Sequence, residues 1–202
     1  MEHSFQAEGF GVRLRPVRME DAAFIVWLRN LEHAKGRVGD SATDVAGQQA
    51  WLNAYLAREG DYYFIVETSG GNPVGTHGIY DVLGTSAEHG RFIIRPEVPA
   101  AIPCLMIGFD LAFGRMGLTE LRGTVVATNH TVISLNRKLG CRQVKVEPGG
   151  RVIGSKAVDM VHFVLSPDDW CKAGERLVPL ARLAEKQVRE WELTQFRGRV
   201  TR

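Results

Sequence analysis

Three strand-like runs in the middle of the chain set its architecture. "DYYFIVET" (61–68) and "PVGTHGIYDV" (73–82) are rich in β-branched and aromatic residues, and "SGGN" lies between them. Gly and Asn tolerate the positive φ of a tight hairpin, so the two runs read as an antiparallel pair. A third run, "SAEHGRFIIRP" (86–96), follows after "LGT" and ends at a proline, which cannot continue a central strand. The centre of the chain is therefore expected to be an antiparallel meander.

On either side the hydrophobic period changes. "VRLRPV" (Val12–Val17) alternates and reads as a strand. "MEDAAFIVWLRN" has acidic residues in its first turn and Arg29 in its last, as a helix dipole prefers. "VAGQQAWLNAYLARE" gathers Trp51, Leu52, Tyr55 and Leu56 on one helical face. After the meander, "AAIPCLMIGFDLAFGRMG" has helical length and spacing, with Leu105, Gly108, Phe109, Ala112 and Phe113 along one stripe. "LTELRGTVVAT" reads as a strand, and "HTVISLNRKLG" as a helix closed by Gly140. "RQVKVE" and "KAVDMVHFVL" read as two more strands, with the Gly-rich turn "EPGG" opening the connection between them. "SPDDW" offers Ser166 as an N-cap with proline at the first helical position. A long amphipathic helix should run from there to about Gln195, with Leu177, Leu180, Leu183, Ala184 and Val188 as its apolar stripe. The order β-α-α-β-β-β-α-β-α-β-β-α makes the fold α+β, a mixed and mostly antiparallel central sheet flanked by helices. The expected division is a tail over 1–11, one domain over 12–165 and a C-terminal helical extension over 166–202.

Composition narrows the partners. The 25 basic residues nearly balance 23 acidic ones, for a net charge of +2, which gives no electrostatic case for nucleic acid. Cys104, Cys141 and Cys171 are isolated and odd in number, so neither a disulfide framework nor a metal site is indicated. The opening "MEHSFQAEGFGVRL" lacks the basic region and apolar run of a signal peptide, and no window approaches about 18 uninterrupted apolar residues. A reduced, cytoplasmic compartment without a membrane partner is the expectation.

Three places could carry chemistry. Where "RFIIRP" gives way to "EVPAAIPCLM", a strand leads into a helix N-terminus whose free N–H groups can hold a phosphate. Ala100 and Ala101 would let an anion approach, Pro103 removes one N–H, and an ordinary strand-to-helix turn is the alternative. In "SAEHGRFIIRP", strict alternation puts Glu88, Gly90, Phe92 and Ile94 on one face and His89 and Arg91 on the other. Glu88 is a carboxylate on a largely apolar strand face, suited to a general base or simply solvated near a strand end. His77 and Asp81, with Tyr80 between strand and loop, are rivals around the same position. Asn129 stands between a strand and a helix, where its side chain can cap the helix. Asn136 and Arg137 are polar positions within that helix.

The order of elements, together with "NHTVISLNRKLGC", resembles the GNAT superfamily of N-acetyltransferases. That family's late motif is an Asn, a helix and a closing "LG" before an aromatic, here Asn129, Leu135 and Leu139-Gly140-Cys141. "DLAFGRMGLTELRGTVVATN" resembles the ribosomal-protein N-acetyltransferase branch. "LRNLEHAKGRV" and "QQAWLNAYLAREGDYYFIVE" are closer to bacterial enzymes acting on nucleotide-linked amino sugars. The resemblance covers Val12 to Leu165. It implies acetyl-CoA as co-substrate, lying in a V-shaped opening between two central strands, with no metal. Phe92, Ile93 and Ile94 would pair with the pantetheine arm, and Ala100, Ala101 and Ile102 would hold the pyrophosphate, with Asn129 and Arg137 nearby. Glu88 would deprotonate the acceptor amine, whose free pKa is near ~10. His77, Tyr80 and Asp81 would face the acceptor, with the segment Leu28–Tyr55 shaping its pocket.

Two departures stand out. The family's phosphate loop carries spaced glycines, whereas "EVPAAIP" has none. Many relatives place a Tyr acid seven residues after the motif Asn. Here Asn136 stands there, able to donate a hydrogen bond to sulfur but not a proton. The implied activity is acetyl transfer to a small primary amine, with a homodimer as one possible assembly. A protein N-terminus as acceptor, a longer acyl donor and a non-catalytic acyl-CoA-binding module are the alternatives.

Overall fold

Residues 3–34, 42 and 44–200 are described by the computed structural model, the side chains of 196–200 excepted. The chain opens with β1 (Ala7–Gly9) and β2 (Val12–Pro16), joined by a tight turn in which Phe10 and Gly11 both take positive φ (50° and 77°). A 3-10 turn over Met19–Asp21 leads into α1 (Ala22–Arg29), and α2 (Val45–Leu56) follows. The meander is β3 (Tyr62–Thr68), β4 (Pro73–Leu83) and β5 (Ser86–Ile94). Then come α3 (Ala101–Asp110), extended by a π-helical turn over Leu111–Arg115, β6 (Glu120–Val126) and α4 (His130–Lys138). The long hairpin β7 (Arg142–Ile153) and β8 (Lys156–Leu165) precedes α5 (Pro167–Val200).

The strands form one eight-stranded sheet in the order β1-β2-β3-β4-β5-β6-β8-β7. Every adjacent pair is antiparallel except β5–β6, which α3 connects as a crossover. This is the mixed, mostly antiparallel α+β sheet expected from the sequence. β1 is an addition: the segment expected to be a tail contributes an edge strand, because its Phe-Gly turn lets Ala7–Gly9 fold back on Val12–Leu14.

The sheet is covered on both faces, and β3 shows why its residues are apolar almost throughout. Tyr63 and Ile65 point to the α1/α2 side, where they join Val17, Ile25, Leu52 and Tyr55. Phe64 and Val66 point to the opposite side, into the main core with Leu14, Leu105, Phe109 and Phe163. α2 is capped by Asp44, whose Oδ1 accepts from Gly47 N at 2.7 Å.

α5 is part of that core. Ser166 caps it as expected, its Oγ accepting from Asp169 N at 3.2 Å. The inward stripe is Trp170, Ala173, Leu177, Ala181, Ala184 and Val188, all buried. Leu180 and Leu183, expected on that stripe, are 45% and 53% exposed. The helix packs against α3, and the two leucines fall on one flank of it, outside the buried stripe. Trp170 Nε1 donates to Asp110 Oδ1 at 2.7 Å, and its ring meets Phe109 edge-on at 5.2 Å. Near the far end, the Glu192 carboxylate accepts from Gly70 N and Asn72 Nδ2, both at 3.0 Å, and from Thr68 Oγ1. One helix thus clamps both α3 and the β3–β4 turn.

Candidate active site

β5 and β6 pair only at Ser86–Glu88 with Glu120–Arg122, although β5 continues to Ile94 and β6 to Val126. Beyond that point each strand stays with its other neighbour. Ile93 and Ile94 remain opposite Thr76 and Gly75 on β4, while Thr124 to Val126 remain opposite β8. The two strands therefore part, and β5 presents a backbone edge with no strand beside it.

The parting coincides with a β-bulge. Between the pairs Gly78–Gly90 and Thr76–Ile93, β4 advances two residues and β5 three. The extra residue is Arg91, at φ 47°, a conformation that costs a non-glycine residue about 1 kcal/mol or more. Its surroundings hold it there. Both guanidinium Nη atoms bond the Asp61 carboxylate, Nη2 to Oδ2 at 2.9 Å, and the guanidinium lies 4.2 Å from the Tyr80 ring centroid and 5.2 Å from that of Trp51. Thr76 Oγ1 donates to the Arg91 carbonyl at 2.7 Å.

The bulge reverses the alternation expected for this strand. Glu88, Gly90 and Arg91 share the α1/α2 face, and Ile93 follows them there, packed on Leu28 and Ala34. His89 and Phe92 lie on the α3 face, where both meet the His77 ring and His89 also meets Phe109. Arg91 is thus on the Glu88 side, not opposite it, and Phe92 and Ile94 are on the α3 side.

A cavity of about 660 Å³ occupies the parting and reaches both faces of the sheet. On one side Asn129, Val132, Leu135 and Asn136 of α4 line it with Thr124 to Val126 of β6. On the other side Trp51, Tyr63, Tyr80, Arg58, Arg91 and Arg151 line it. Among the sequence-derived candidates, Tyr80, Phe92, Asn129 and Asn136 are in this lining.

Asn129 caps α4 through Oδ1, which accepts from Val132 N at 3.3 Å. Asn136 is buried, and its Oδ1 faces the Cys141 thiol at 3.8 Å. Burial pushes that thiol up to about 12, so it remains an S–H donor at neutral pH. With the amide oxygen engaged, the NH₂ limb is what Asn136 keeps for the cavity. Burial raises the Tyr80 hydroxyl well above its ordinary value, and the neighbouring Glu88 adds to the shift.

The other candidates stand elsewhere. Glu88 lies next to the lining, its Oε1 accepting from Tyr80 Oη at 3.4 Å. Ile93 and Ile94 lie on the parted stretch of β5, the Ile94 carbonyl bonded to the His33 ring at 3.1 Å, while their side chains pack into the protein. Ala100 is buried, and Ala101 and Ile102 form the first turn of α3, which begins without a side-chain cap. Arg137 is exposed, with Nη2 donating to Gln143 Oε1 at 3.1 Å. Asp81 is exposed, and its carbonyl accepts from Arg122 Nη2 at 3.2 Å. His77 is fully buried under α3 and has no hydrogen-bond partner on either ring nitrogen among the described residues. Burial, then the neighbouring His89, pushes it down to about 3. His89 reaches the cavity that His77 does not, and burial pushes it down to about 4.

Sequence reasoning missed His89 and the cationic rim of Arg58, Arg91 and Arg151. The Gly-Arg pair inside an otherwise regular strand was the available signal for the bulge, since a glycine there permits close approach. Nothing local signals that Arg151, on the β7–β8 hairpin, meets a residue just past α2.

No curated protein gives a significant match to the chain. Solved structures share the fold. RimJ from Mycobacterium smegmatis, in complex with CoA-disulfide, superposes with a TM-score of 0.76 at 22% identity over 89% of this chain and 96% of that one. FdhC, a nucleotide-linked sugar GNAT, gives 0.70 at 24% identity over 90% and 98%. A variant of the spermidine N-acetyltransferase SpeG from Vibrio cholerae gives 0.71 at 17% identity over 81% and 98%. The Acetyltransferase (GNAT) domain matches residues 12–142, which take in both parted strands, α3 and all of α4. The chain belongs to the GNAT acetyltransferase family.

Proposed function

We propose that this protein is an acetyl-CoA-dependent N-acetyltransferase acting on the primary amine of a small molecule, with a nucleotide-linked amino sugar as the preferred acceptor. The observation that carries the reading is the unpaired β5 edge beside a cavity open to both faces of the sheet. The amide-rich pantetheine arm can add to such an edge as a strand would. Acetyl-CoA supplies the activated thioester carbonyl.

The chain's own residues do the rest. Backbone of Phe92, Ile93 and Ile94 positions the arm, and an N–H of the free edge donates to the carbonyl oxygen as charge develops there. Holding two reactants in register contributes about 7–11 kcal/mol in well-oriented systems. The α3 N-terminus at Ala100–Ile102 receives the pyrophosphate on the backbone N–H groups of Ala101 and Ile102, Ala100 N being engaged with the Val98 carbonyl at 2.8 Å, so the missing glycines do not remove the donors. Asn136 donates its NH₂ limb toward the departing sulfur, and Asn129 fixes the start of α4. Arg137 is assigned to the cofactor on the family motif alone. Glu88 takes the ammonium proton, reaching the cavity through the Tyr80 hydroxyl or a water. His77 and Asp81 lie outside the cavity lining, and Tyr80 is the acceptor-side contact we retain. The unpaired state of all three cysteines suits the cytoplasmic setting of the same reading.

The amino-sugar preference rests on the early-segment resemblance and on the similarity to FdhC. A protein N-terminus is the second reading, favoured by the likeness of 110–129 to the ribosomal-protein branch. Calorimetric titration with acetyl-CoA tests the core of the proposal, and absence of binding at millimolar concentration would refute it. Glu88→Gln should lower turnover most below the acceptor's pKa and leave acetyl-CoA affinity intact. Turnover unchanged at every pH would remove Glu88 as the base.

A further inference from the structure

The α2-facing half of the cavity gathers arginines, and the one carboxylate beside its lining apart from Asp61, that of Glu88, stands behind the Tyr80 hydroxyl. Arg29, Arg58, Arg91 and Arg151 line this half, and no described Asp or Glu does. They come from four separate parts of the chain: the end of α1, the turn after α2, the β5 bulge and the β7–β8 hairpin. Asp61 bonds Arg91 through both oxygens and lies 3.7 Å from Arg58. One carboxylate shared by two guanidiniums leaves a net positive charge, and Arg151 adds another with no ion partner among the described residues. Arg58 and Arg91 also lie against the same ring, 5.4 Å and 5.2 Å from the centroid of Trp51. Collecting like charges at one aromatic wall is unfavourable unless something negative joins them.

We propose that this wall is an anion subsite: the acceptor amine carries a carboxylate or phosphate that docks on Arg58 and Arg151, with Arg91 fixed behind them by Asp61. Guanidinium forks suit both anions, because each presents paired oxygens to paired N–H donors. Trp51 supplies an apolar plane for the part of the acceptor between amine and anion. A polyamine's second ammonium meets net repulsion there. The subsite rests on the acetyl-transfer reading for the fate of the amine, while its charge preference is a property of the free protein.

Two arms separate these. The probes are aminopentanol, its phosphate ester, aminopentanoate and diaminopentane, which share one terminal amine and differ at the other end. In the first arm each is titrated calorimetrically into the full-length protein without acetyl-CoA. The phosphate ester or aminopentanoate should bind at least ten-fold more tightly than aminopentanol, and diaminopentane most weakly. Whichever anion leads identifies the source as phosphate or carboxylate. In the second arm, thiol release from acetyl-CoA gives kcat/KM for each amine. The ratio of anionic to neutral kcat/KM should fall at least ten-fold in both Arg58→Gln and Arg151→Gln, whose exposed side chains are not needed by the core. Equal or tighter binding of diaminopentane in the first arm overturns the subsite, as does an anionic preference that survives both substitutions. If no probe is acetylated but the anions bind in an Arg151-dependent way, the subsite stands and the acetyl-transfer reading is what fails.

Discussion

Two buried histidines make a quantitative case about pH. His77 and His89 are held neutral in the fold, pushed down to about 3 and about 4 from an ordinary value of 6.5. Their ring neighbours are Phe92, Phe109 and each other, and among the described residues no carboxylate is paired with either ring. The folded values lie below the unfolded ones, so the unfolded chain binds protons that the native protein refuses. Stability is therefore complete above the unfolded value and is lost as pH falls from there toward the folded values. At about pH 5 each histidine is roughly 1.5 units below its unfolded value, which corresponds to about 2 kcal/mol. The pair then removes about 4 kcal/mol, a large share of the roughly 5–15 kcal/mol typical of a domain. The carboxylates with lowered values, Glu97 and Glu147, titrate below this window. His3, less deeply buried, adds a smaller loss of the same sign. Urea unfolding followed by tryptophan fluorescence between about pH 7.5 and pH 5 reads the effect as a falling midpoint at constant m-value. His77→Leu removes one titrating ring and should remove close to half of the pH-dependent loss, whatever its constant cost from altered packing. Parallel pH curves for the variant and the parent would refute the reasoning, as would a parent stability that is flat across the window.

Two further outcomes follow from the packing. Gly140 closes α4 at φ 86°, and a Cβ there would sit 3.0 Å from both the Ala173 Cβ and the Asp169 carbonyl oxygen on α5. Gly140→Ala should therefore cost about 1–3 kcal/mol and lower Tm by several degrees in a thermal melt. A chain ending at Ser166 loses Trp170, whose burial alone is worth about 3–5 kcal/mol by the usual cost of a Trp→Ala change. It should bind a hydrophobic dye and lose its near-ultraviolet circular dichroism, while a native-like spectrum would show α5 to be dispensable.

What the sequence made legible was local. Alternation and the "SGGN" turn predicted the meander because both act within a few residues, and the Ser166-Pro167 start of α5 followed from capping chemistry alone. β1 escaped because three residues are too few for a period, although the Phe-Gly turn beside them was visible. The α5 stripe was misassigned because side-chain size favoured Leu180 and Leu183, whereas the helical period buries Ala173, Ala181 and Ala184 beside Leu177. Of the residues that line the cavity, Asn129, Asn136 and Phe92 were named through the family resemblance and Tyr80 as a candidate beside His77 and Asp81. Arg58 and Arg151 were not, because their significance lies in a convergence of distant segments. The face of Phe92 was mistaken because a bulge is a relation between two strands, set by how β5 counts against β4.

That single inserted residue links the fold to the site. Without it, β5 would alternate regularly, and the residues after Gly90 would change faces. Phe92 would leave the histidine cluster under α3, and Ile93 would leave Leu28 and Ala34. With it, β5 follows β4 and turns from β6, which opens the cavity. The same residue carries the guanidinium that Asp61 and Tyr80 hold at the cavity wall. The backbone strain at Arg91, of order 1–3 kcal/mol, is therefore opposed by contacts that lie inside the site, not remote from it. A half-buried ion pair of good geometry, backed by an aromatic face, is large enough to match that cost. It follows that the shape of the opening and Arg91's share of the charge on its wall are set by the same residue.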